Sequence, residues 1–247
     1  MRPRDASNPP LLGRLGMAVW ARKHPEWAKQ RDHRVMPVYH LSLRTTPRYL
    51  RDRLRVKRNA VADGVPQPWI TAESRQLLAE RLQPTHRGLE YGAGGTTSFF
   101  APRVEHLYSV EGFDHWYEPL AKRLADLGVS NVSLTLASAE ELGYESEAHR
   151  DAYVNAHPEL APGSLDFVFV DGEYRDDCMM RAIELLKPGG LLILDNAEIY
   201  LPSTTRSPWQ MPAPATPLWE RFLQETVDWG TLWTTNGVWD TAFWFKP

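Results

Sequence analysis

The 247-residue sequence predicts an α/β fold with a doubly wound, mostly parallel β-sheet, preceded by a helical arm. Three observations predict it. Apolar strand-like runs alternate with helical stretches after residue 65, a glycine-rich turn follows the first such run, and Asn236-Gly237 separates two aromatic and β-branched runs near the end. Alternating strands and helices are typical of a parallel sheet with both faces covered. The Asn-Gly pair indicates an antiparallel hairpin at the end of this sheet.

The predicted elements follow the chain in order. Hydrophobic periodicity and capping residues predict helices near 71–82, 97–101, 113–127, 175–186 and 217–227. Apolar and β-branched runs predict strands near 88–91, 106–110, 132–136, 165–170, 191–194, 231–235 and 238–245. The segment Lys187-Pro188-Gly189-Gly190 indicates a turn after the fourth helix. Residues 143–163 and 199–217 look irregular, and stretches of that length often form functional lids.

Charge divides the chain into a basic helical extension, residues 1–64, and a domain at residues 65–247. Residues 1–60 hold 15 Lys/Arg and 4 Asp/Glu, a net +11, whereas the remainder holds 13 and 27, a net −14. Apolar stripes at 10–29 and 48–61 predict amphipathic helices, the second capped at Thr46-Pro47. The asymmetry fits docking of the arm on the acidic domain of its own chain or of a second subunit in a homodimer. It leaves open a peripheral contact with a membrane.

Cysteine usage and hydropathy indicate a cytoplasmic protein. A single cysteine, Cys178, excludes an intramolecular disulfide and fits a reducing compartment. The apolar stretch Leu11–Trp20 is too short to span a bilayer, and no small-residue cleavage site follows it.

The most informative motif is Glu90-Tyr91-Gly92-Ala93-Gly94, which follows the first predicted strand. Such glycines let the backbone approach a nucleotide-type ligand, and the acid Glu111, twenty-one residues after Glu90, can accept both ribose hydroxyls. A dinucleotide fingerprint would have a third glycine where this chain has Thr97. Glu90 would repel a pyrophosphate but favour a cationic ligand. The motif therefore predicts a nucleoside ligand that carries positive charge.

This stretch resembles the first motif of the class I S-adenosylmethionine-dependent methyltransferases, and the resemblance covers roughly residues 65–247. It implies a Rossmann-like sheet in the strand order 3-2-1-4-5-7-6 and S-adenosylmethionine as cofactor. It also implies cofactor contacts from one set of residues: Glu90, Gly92, Ala93, Gly94, Thr97, Glu111, Gly112, Ser138, Ala139 and Asp171. For Ser138 an equally good alternative is the cap of a short helix, with Glu141 as its partner.

Polar residues follow two neighbouring predicted strands. Asp171 ends the strand at 165–170, and Asp195-Asn196 follow the next one. Adjacent strands lie about 4.8 Å apart, so these oxygens can share one hard divalent cation. The three residues resemble the Asp…Asp-Asn triad of the magnesium-dependent O-methyltransferases, which implies a Mg²⁺ site at Asp171, Asp195 and Asn196 and a catalytic role for Asp171. The alternatives are an acid without a metal and Asn196 as a turn cap.

A hydroxyl acceptor requires a metal or a base. A carboxylate with a pKa of ~3.9 facing a hydroxyl of ~10 is too weak as a base by about 8 kcal/mol. Where the metal-dependent family carries a lysine, this chain has Tyr174, and Arg175 is permanently protonated. His115, which follows the ribose acid, is the predicted catalytic base, with His149 and His157 as alternatives.

The leading hypothesis is methyl transfer from S-adenosylmethionine to an oxygen of a small molecule, a sugar or aromatic hydroxyl in a biosynthetic pathway. Nucleic-acid methylation is disfavoured because Asp171-Gly172-Glu173-Tyr174 lacks the Asn/Asp-Pro-Pro-aromatic sequence typical of base amino methylation. A non-catalytic binding protein that retains the fold is a third hypothesis. A nicotinamide-dependent dehydrogenase is disfavoured by Thr97 and by the terminal hairpin.

Overall fold

The computed structural model describes residues 68–205, 207 and 211–247, together with positions 47, 50, 51 and 54, which are helical and exposed. The rest of the predicted basic arm and its boundary near residue 64 lie outside these residues, as do Arg206, Pro208 and Trp209 of the predicted lid. The two-part division of the chain therefore stays a prediction.

Seven strands form one sheet in the order β3-β2-β1-β4-β5-β7-β6, which confirms the predicted order. Strands β1 to β5 run parallel to one another, whereas β7 is antiparallel to both β5 and β6. The bounds are β1 Arg87–Tyr91, β2 His106–Glu111, β3 Val132–Leu136, β4 Leu165–Val170, β5 Leu186–Asp195, β6 Gly230–Thr235 and β7 Asp240–Phe245. This arrangement is the class I methyltransferase fold.

Helices cover both faces of the sheet. Their bounds are α1 Ala72–Arg81, α2 Gly95–Phe100, α3 Asp114–Asp126, α4 Ala139–Leu142, α5 Glu147–Val154, α6 Arg175–Leu185 and α7 Pro217–Glu225, with 3₁₀ turns at Ala101–Arg103 and Ala197–Ile199. Within the described ranges, no helix combines the length and the apolar character needed to cross a bilayer.

The core divides at the sheet because side chains alternate along each strand. In β4, Val168 and Val170 face one apolar cluster, with Met179 of α6 and Trp219 of α7. Phe167 and Phe169 face the other cluster, with α1 and α2. The central strands are buried on both faces, as expected for a parallel sheet covered by helices. The buried thiol of Cys178 belongs to the first cluster.

Two segments correct the sequence prediction. The proposed turn Lys187-Pro188-Gly189-Gly190 lies within β5, where an irregularity shifts the register against β4 and Gly189 adopts a positive φ of 77°. The stretch 143–163 is not irregular throughout, since it contains α5. Ser146 caps that helix by accepting a hydrogen bond from the His149 amide at 2.9 Å.

The terminal hairpin is confirmed, with a longer loop than predicted. Strand β7 begins at Asp240 rather than at 238. The Asn236 side chain accepts hydrogen bonds from the amides of Val238 and Trp239, at 3.0 and 2.9 Å, and closes the turn. Because β5 and β7 are antiparallel neighbours, the loop between β6 and β7 lies at the carboxyl edge of β5.

Candidate active site

The carboxyl ends of β2, β1, β4 and β5 lie side by side, which is the edge where open α/β sheets bind ligands. The segment after each strand supplies part of the predicted site. Glu111 ends β2, Gly92 follows β1, Asp171 follows β4 and Asp195 ends β5. The parallel register thus brings together residues that are more than 100 positions apart in sequence.

The two glycines after β1 serve different purposes. Gly92 has φ +95°, and a Cβ there would lie 2.8 Å from the carbonyl carbon of Asp171 and from the Cα of Gly172. It therefore permits a close approach between the ends of β1 and β4. At Gly94, in contrast, a Cβ would meet no atom of the described residues within 4 Å. The Gly94 amide donates to Thr97 Oγ1 at 2.8 Å, which fixes the turn while leaving open space beyond it.

Glu90 is fully buried beneath this turn. Its Oε2 accepts hydrogen bonds from the hydroxyls of Thr97 and Ser109, at 2.6 and 2.7 Å. Its Oε1 is also buried and has no hydrogen-bond partner of ordinary length in the described part of the chain. Burial raises the pKa of Glu90 to about 7, although neighbouring hydroxyls oppose the shift. A buried carboxylate with an unused oxygen favours a ligand that is cationic or donates hydrogen bonds.

Glu111 closes β2 with its carboxylate turned towards the following backbone. Its Oε1 accepts hydrogen bonds from the amides of Gly112 and Phe113, at 2.8 and 3.1 Å. Burial is the main cause that raises the pKa of Glu111 to about 8, and the two amides oppose that shift. The amides fix the carboxylate at the edge of the sheet, in the place that the sequence predicts for a ribose contact.

After β3, the helix-cap alternative for Ser138 is the one observed. Its Oγ accepts from the Glu141 amide at 3.2 Å and donates to Asp114 Oδ2 at 2.6 Å. The Ala139 amide donates to the Gly112 carbonyl at 2.8 Å, which joins the segments after β2 and β3. Contacts of Ser138 and Ala139 with a cofactor stay predictions.

Two of the three predicted magnesium ligands, Asp171 and Asn196, present side-chain oxygens to the guanidinium of Arg175, and Asp195 presents its backbone carbonyl. The Nη2 of Arg175 donates to Asp171 Oδ1 at 2.9 Å, and its Nη1 lies 3.4 Å from Asn196 Oδ1. Asp195 Oδ1 instead accepts from the Thr241 hydroxyl at 2.7 Å. Among the residues that the structure describes, no group of three or more His, Cys, Asp and Glu side chains is placed to hold a metal ion.

This arrangement does not fit a divalent cation. A Mg²⁺ ion at roughly 4 Å from the guanidinium would be repelled by about 8 kcal/mol at an effective dielectric constant of about 20. The physical reason is that Arg175, four residues after Asp171, already brings a positive charge to these oxygens. The spacing of Asp171, Asp195 and Asn196 could not reveal this, because the side chain comes from a helix that the metal interpretation left out.

The three candidate histidines lie in different surroundings. His115 is exposed at the start of α3, where its ring is 5.6 Å from that of Phe113 and 5.7 Å from that of Trp116. His149 is buried, and its Nδ1 lies 2.7 Å from the Tyr174 hydroxyl; burial lowers the pKa of His149. His157 is buried with Nε2 3.3 Å from the Ser109 carbonyl. The catalytic role of His115 stays a prediction.

Two further buried acids, Glu198 and Asp240, lie beside Asp195, and no pattern in the sequence predicted their pairing. Glu198 Oε2 accepts from the Asp240 amide at 2.8 Å, and the Thr205 hydroxyl donates to Asp240 Oδ2. Glu198 Oε1 and Asp240 Oδ1 are buried without a hydrogen-bond partner of ordinary length among the described residues. Burial and the neighbouring Asp240 raise the pKa of Glu198 well above its usual range.

We expect Glu198→Gln to stabilise the protein at alkaline pH. A carboxyl group whose folded pKa is raised contributes stability below its unfolded pKa, about 4.3, and loses it as the pH rises through the folded pKa. Glutamine cannot ionise and keeps an oxygen for the Asp240 amide. Denaturant unfolding should show a gain on the order of 1 kcal/mol at pH 8 that shrinks towards pH 5. The exposed control Glu220→Gln should show no such pH-dependent difference, and an equal gain in both variants would contradict the burial argument.

Comparison with curated proteins finds relatives that are named as methyltransferases. No family model matches the chain. The chain is 32% identical over 136 residues to a protein-L-isoaspartate O-methyltransferase of Alcanivorax borkumensis, a match that covers 51% of this chain and 59% of the relative. A Yersinia enterocolitica protein of the same name is 33% identical over 137 residues, covering 54% and 56%. The chain thus spans less than two thirds of the length of the curated relatives that it matches.

Solved structures give weaker similarities. A methyltransferase-like protein from Silicibacter pomeroyi has a TM-score of 0.49 and 21% identity, covering 71% of this chain and 84% of that one. Aeropyrum pernix fibrillarin, solved with S-adenosyl-L-methionine, has a TM-score of 0.46 and 16% identity, covering 70% and 73%. Similarity at this level carries no argument about function, and the fold assignment depends on the strand order and directions described above.

Proposed function

We propose that the protein binds S-adenosylmethionine at the carboxyl edge of β2, β1 and β4 and transfers its methyl group to an acceptor oxygen. One observation carries the proposal. Among the described residues, the turn at Gly94 borders open space, and Glu90 beneath it is a buried carboxylate whose Oε1 has no hydrogen-bond partner of ordinary length. A cationic nucleoside suits this combination, whereas a pyrophosphate would be repelled by Glu90.

The bound cofactor would supply an activated methyl group on a positively charged sulfur. In this proposal, Glu111 holds the ribose hydroxyls and Glu90 balances the positive charge. Gly94 leaves room for the ligand because it lacks a side chain. The predicted contacts of Ser138 and Ala139 with the adenine complete the proposed set of cofactor contacts. The protein's contribution is then mainly to position the donor and to exclude water.

The acceptor is proposed to be an oxygen because the matched relatives carry the name O-methyltransferase. A small hydroxyl compound is the acceptor expected from the sequence, while the name of the relatives points to an isoaspartyl oxygen in a protein. Incubation with methyl-labelled cofactor, first with isoaspartyl peptides and then with sugar and phenol panels, separates the two. Base-labile label on the peptide indicates a methyl ester, and base-stable label on a small molecule indicates an ether.

The proposed binding mode predicts that the affinity for S-adenosylmethionine increases with pH. Glu90 and Glu111 have pKa values of about 7 and 8 in the free protein, so both carry protons at pH 6. A sulfonium favours the ionised carboxylates, so binding should release protons. Between pH 6 and pH 8.5 the dissociation constant for S-adenosylmethionine should fall roughly tenfold relative to that for S-adenosylhomocysteine, whose sulfur is uncharged.

Titration calorimetry across this pH range measures both constants. Glu90→Gln serves as the matched variant, because it keeps an oxygen that can accept from Thr97 and Ser109 but removes the titrating carboxyl group. Its affinity ratio should depend less on pH than that of the wild type. A wild-type ratio that does not change with pH would exclude a charge-selective role for these carboxylates.

A further inference from the structure

The side chain of Arg175 makes many hydrogen bonds at the carboxyl edge of the sheet. It is 12% exposed, and every N–H of its guanidinium faces an oxygen. Nε donates to the Gly172 carbonyl at 2.9 Å, and Nη2 donates to the carbonyl and the Oδ1 of Asp171 at 3.1 and 2.9 Å. Nη1 donates to the Asp195 carbonyl at 2.6 Å, with Asn196 Oδ1 at 3.4 Å.

These acceptors come from the ends of two neighbouring strands. Asp171 and Gly172 follow β4, whereas Asp195 ends β5 and Asn196 follows it. The cluster of acceptors consists of one carboxylate oxygen, three backbone carbonyls and one side-chain amide oxygen. Oxygens of these kinds are also the ligands that a hard divalent cation takes. We infer that the Arg175 guanidinium is the resident cation of this site, and that it positions the ends of β4 and β5 without a metal ion.

The local backbone supports a positioning role. Tyr174 and Asn196, the residues that precede α6 and the 3₁₀ turn after β5, both adopt left-handed conformations, with φ of 45° and 51°. For a tyrosine such a conformation is strained and persists only when neighbouring contacts fix it. Arg175 directly follows Tyr174 and binds the carbonyls of both turns.

Arginine suits this role better than lysine would. The guanidinium is planar and presents five donors in a fixed fork, whereas an ammonium presents three on a flexible stem. Arg175→Lys should therefore keep a positive charge at the site but lose part of the contacts across the two strand ends. Arg175→Ala and Arg175→Gln remove the charge altogether.

The test uses Mn²⁺ as the metal probe, followed by the electron paramagnetic resonance signal of the free ion. The wild-type protein should not deplete Mn²⁺ at concentrations up to about 1 mM, a range that a functional carboxylate site would fill. Arg175→Ala or Arg175→Gln, whichever yields folded protein by circular dichroism, should bind about one Mn²⁺ per chain. Arg175→Lys should bind none, and Asp171→Asn added to the neutral variant should abolish the binding it gained.

A second arm measures S-adenosylhomocysteine affinity, and only this arm rests on the proposed function. Loss of the Arg175 contacts should weaken the affinity of Arg175→Ala for S-adenosylhomocysteine about tenfold. Added Mn²⁺, or about 20 mM guanidinium, should restore this affinity. Arg221→Ala, which removes an exposed arginine paired with Glu225, should change neither readout. A purely structural loss would not be rescued by added cations.

Two results would overturn the inference: wild-type binding of Mn²⁺ that Asp171→Asn abolishes, or a folded neutral variant that binds no Mn²⁺ and shows no rescue. Absence of S-adenosylhomocysteine binding in every variant would count against the proposed function only. In that case the Mn²⁺ arm alone decides the role of Arg175.

Discussion

Replacing Gly94 with valine is expected to abolish cofactor binding while leaving the fold intact. Among the described residues, a Cβ at this position meets no atom within 4 Å, and the φ of 166° lies outside the left-handed region that favours glycine. The free protein should therefore accept a side chain there. The same space is where the proposed cofactor approaches the backbone. The dissociation constant for S-adenosylhomocysteine should rise at least about 100-fold, which corresponds to roughly 2.7 kcal/mol.

The comparison requires a stability measurement on the same samples. The melting temperature of Gly94→Val should stay within about 2 °C of the wild type, since surface substitutions in open space usually cost little. Gly230→Val at the edge strand β6 is the matched control, because its Cβ would make only ordinary contacts with Phe245. It should bind the cofactor normally. Unchanged binding by Gly94→Val would mean that the ligand lies elsewhere.

Gly92→Ala, in contrast to Gly94→Val, is expected to cause a large loss of stability. The added Cβ would lie 2.8 Å from backbone atoms of Asp171 and Gly172, which cannot rotate away as a side chain could. The positive φ of 95° adds strain for any residue with a Cβ. We expect the free energy of unfolding to fall by roughly 3 kcal/mol or more, from overpacking and backbone strain together.

Gly128→Ala separates the effect of backbone strain from the effect of overpacking. Gly128 has φ +65°, and no atom in the described part of the chain lies within 4 Å of the position its Cβ would take, so only the backbone strain applies. Its cost should be about 1 kcal/mol. If denaturant unfolding gave the same loss for both variants, the close approach between the ends of β1 and β4 would contribute nothing.

The parts of the fold that depend on local patterns could be predicted from the sequence. Strand β4 was predicted at its observed bounds, because a run of six residues with five apolar ones indicates a strand buried on both faces. The strand order followed from the resemblance. Helix α5 was missed, although Ser146 as a cap and Tyr153 on its buried face were present in the stretch that was interpreted as irregular.

The candidate site was predicted less completely, for a physical reason. Sequence spacing places residues at strand ends, and it correctly brought Glu90, Glu111, Asp171 and Asp195 to one edge of the sheet. It does not show which side chain fills the space between them. Arg175 enters the space between Asp171 and Asp195 from the first turn of α6. Asp240, which comes from a strand 45 residues after Asp195, contacts Glu198 through its backbone amide. Such tertiary pairings leave no periodic signal in the chain.

The most direct test of the account is a calorimetric titration of the protein with S-adenosylhomocysteine at pH 8, with NAD⁺ titrated in parallel. The account predicts one site per chain with a dissociation constant in the micromolar range, or about −8 kcal/mol, and no binding of NAD⁺. Binding of NAD⁺ in place of S-adenosylhomocysteine, or binding of neither by correctly folded protein, would contradict the assignment of this edge to a methyl donor.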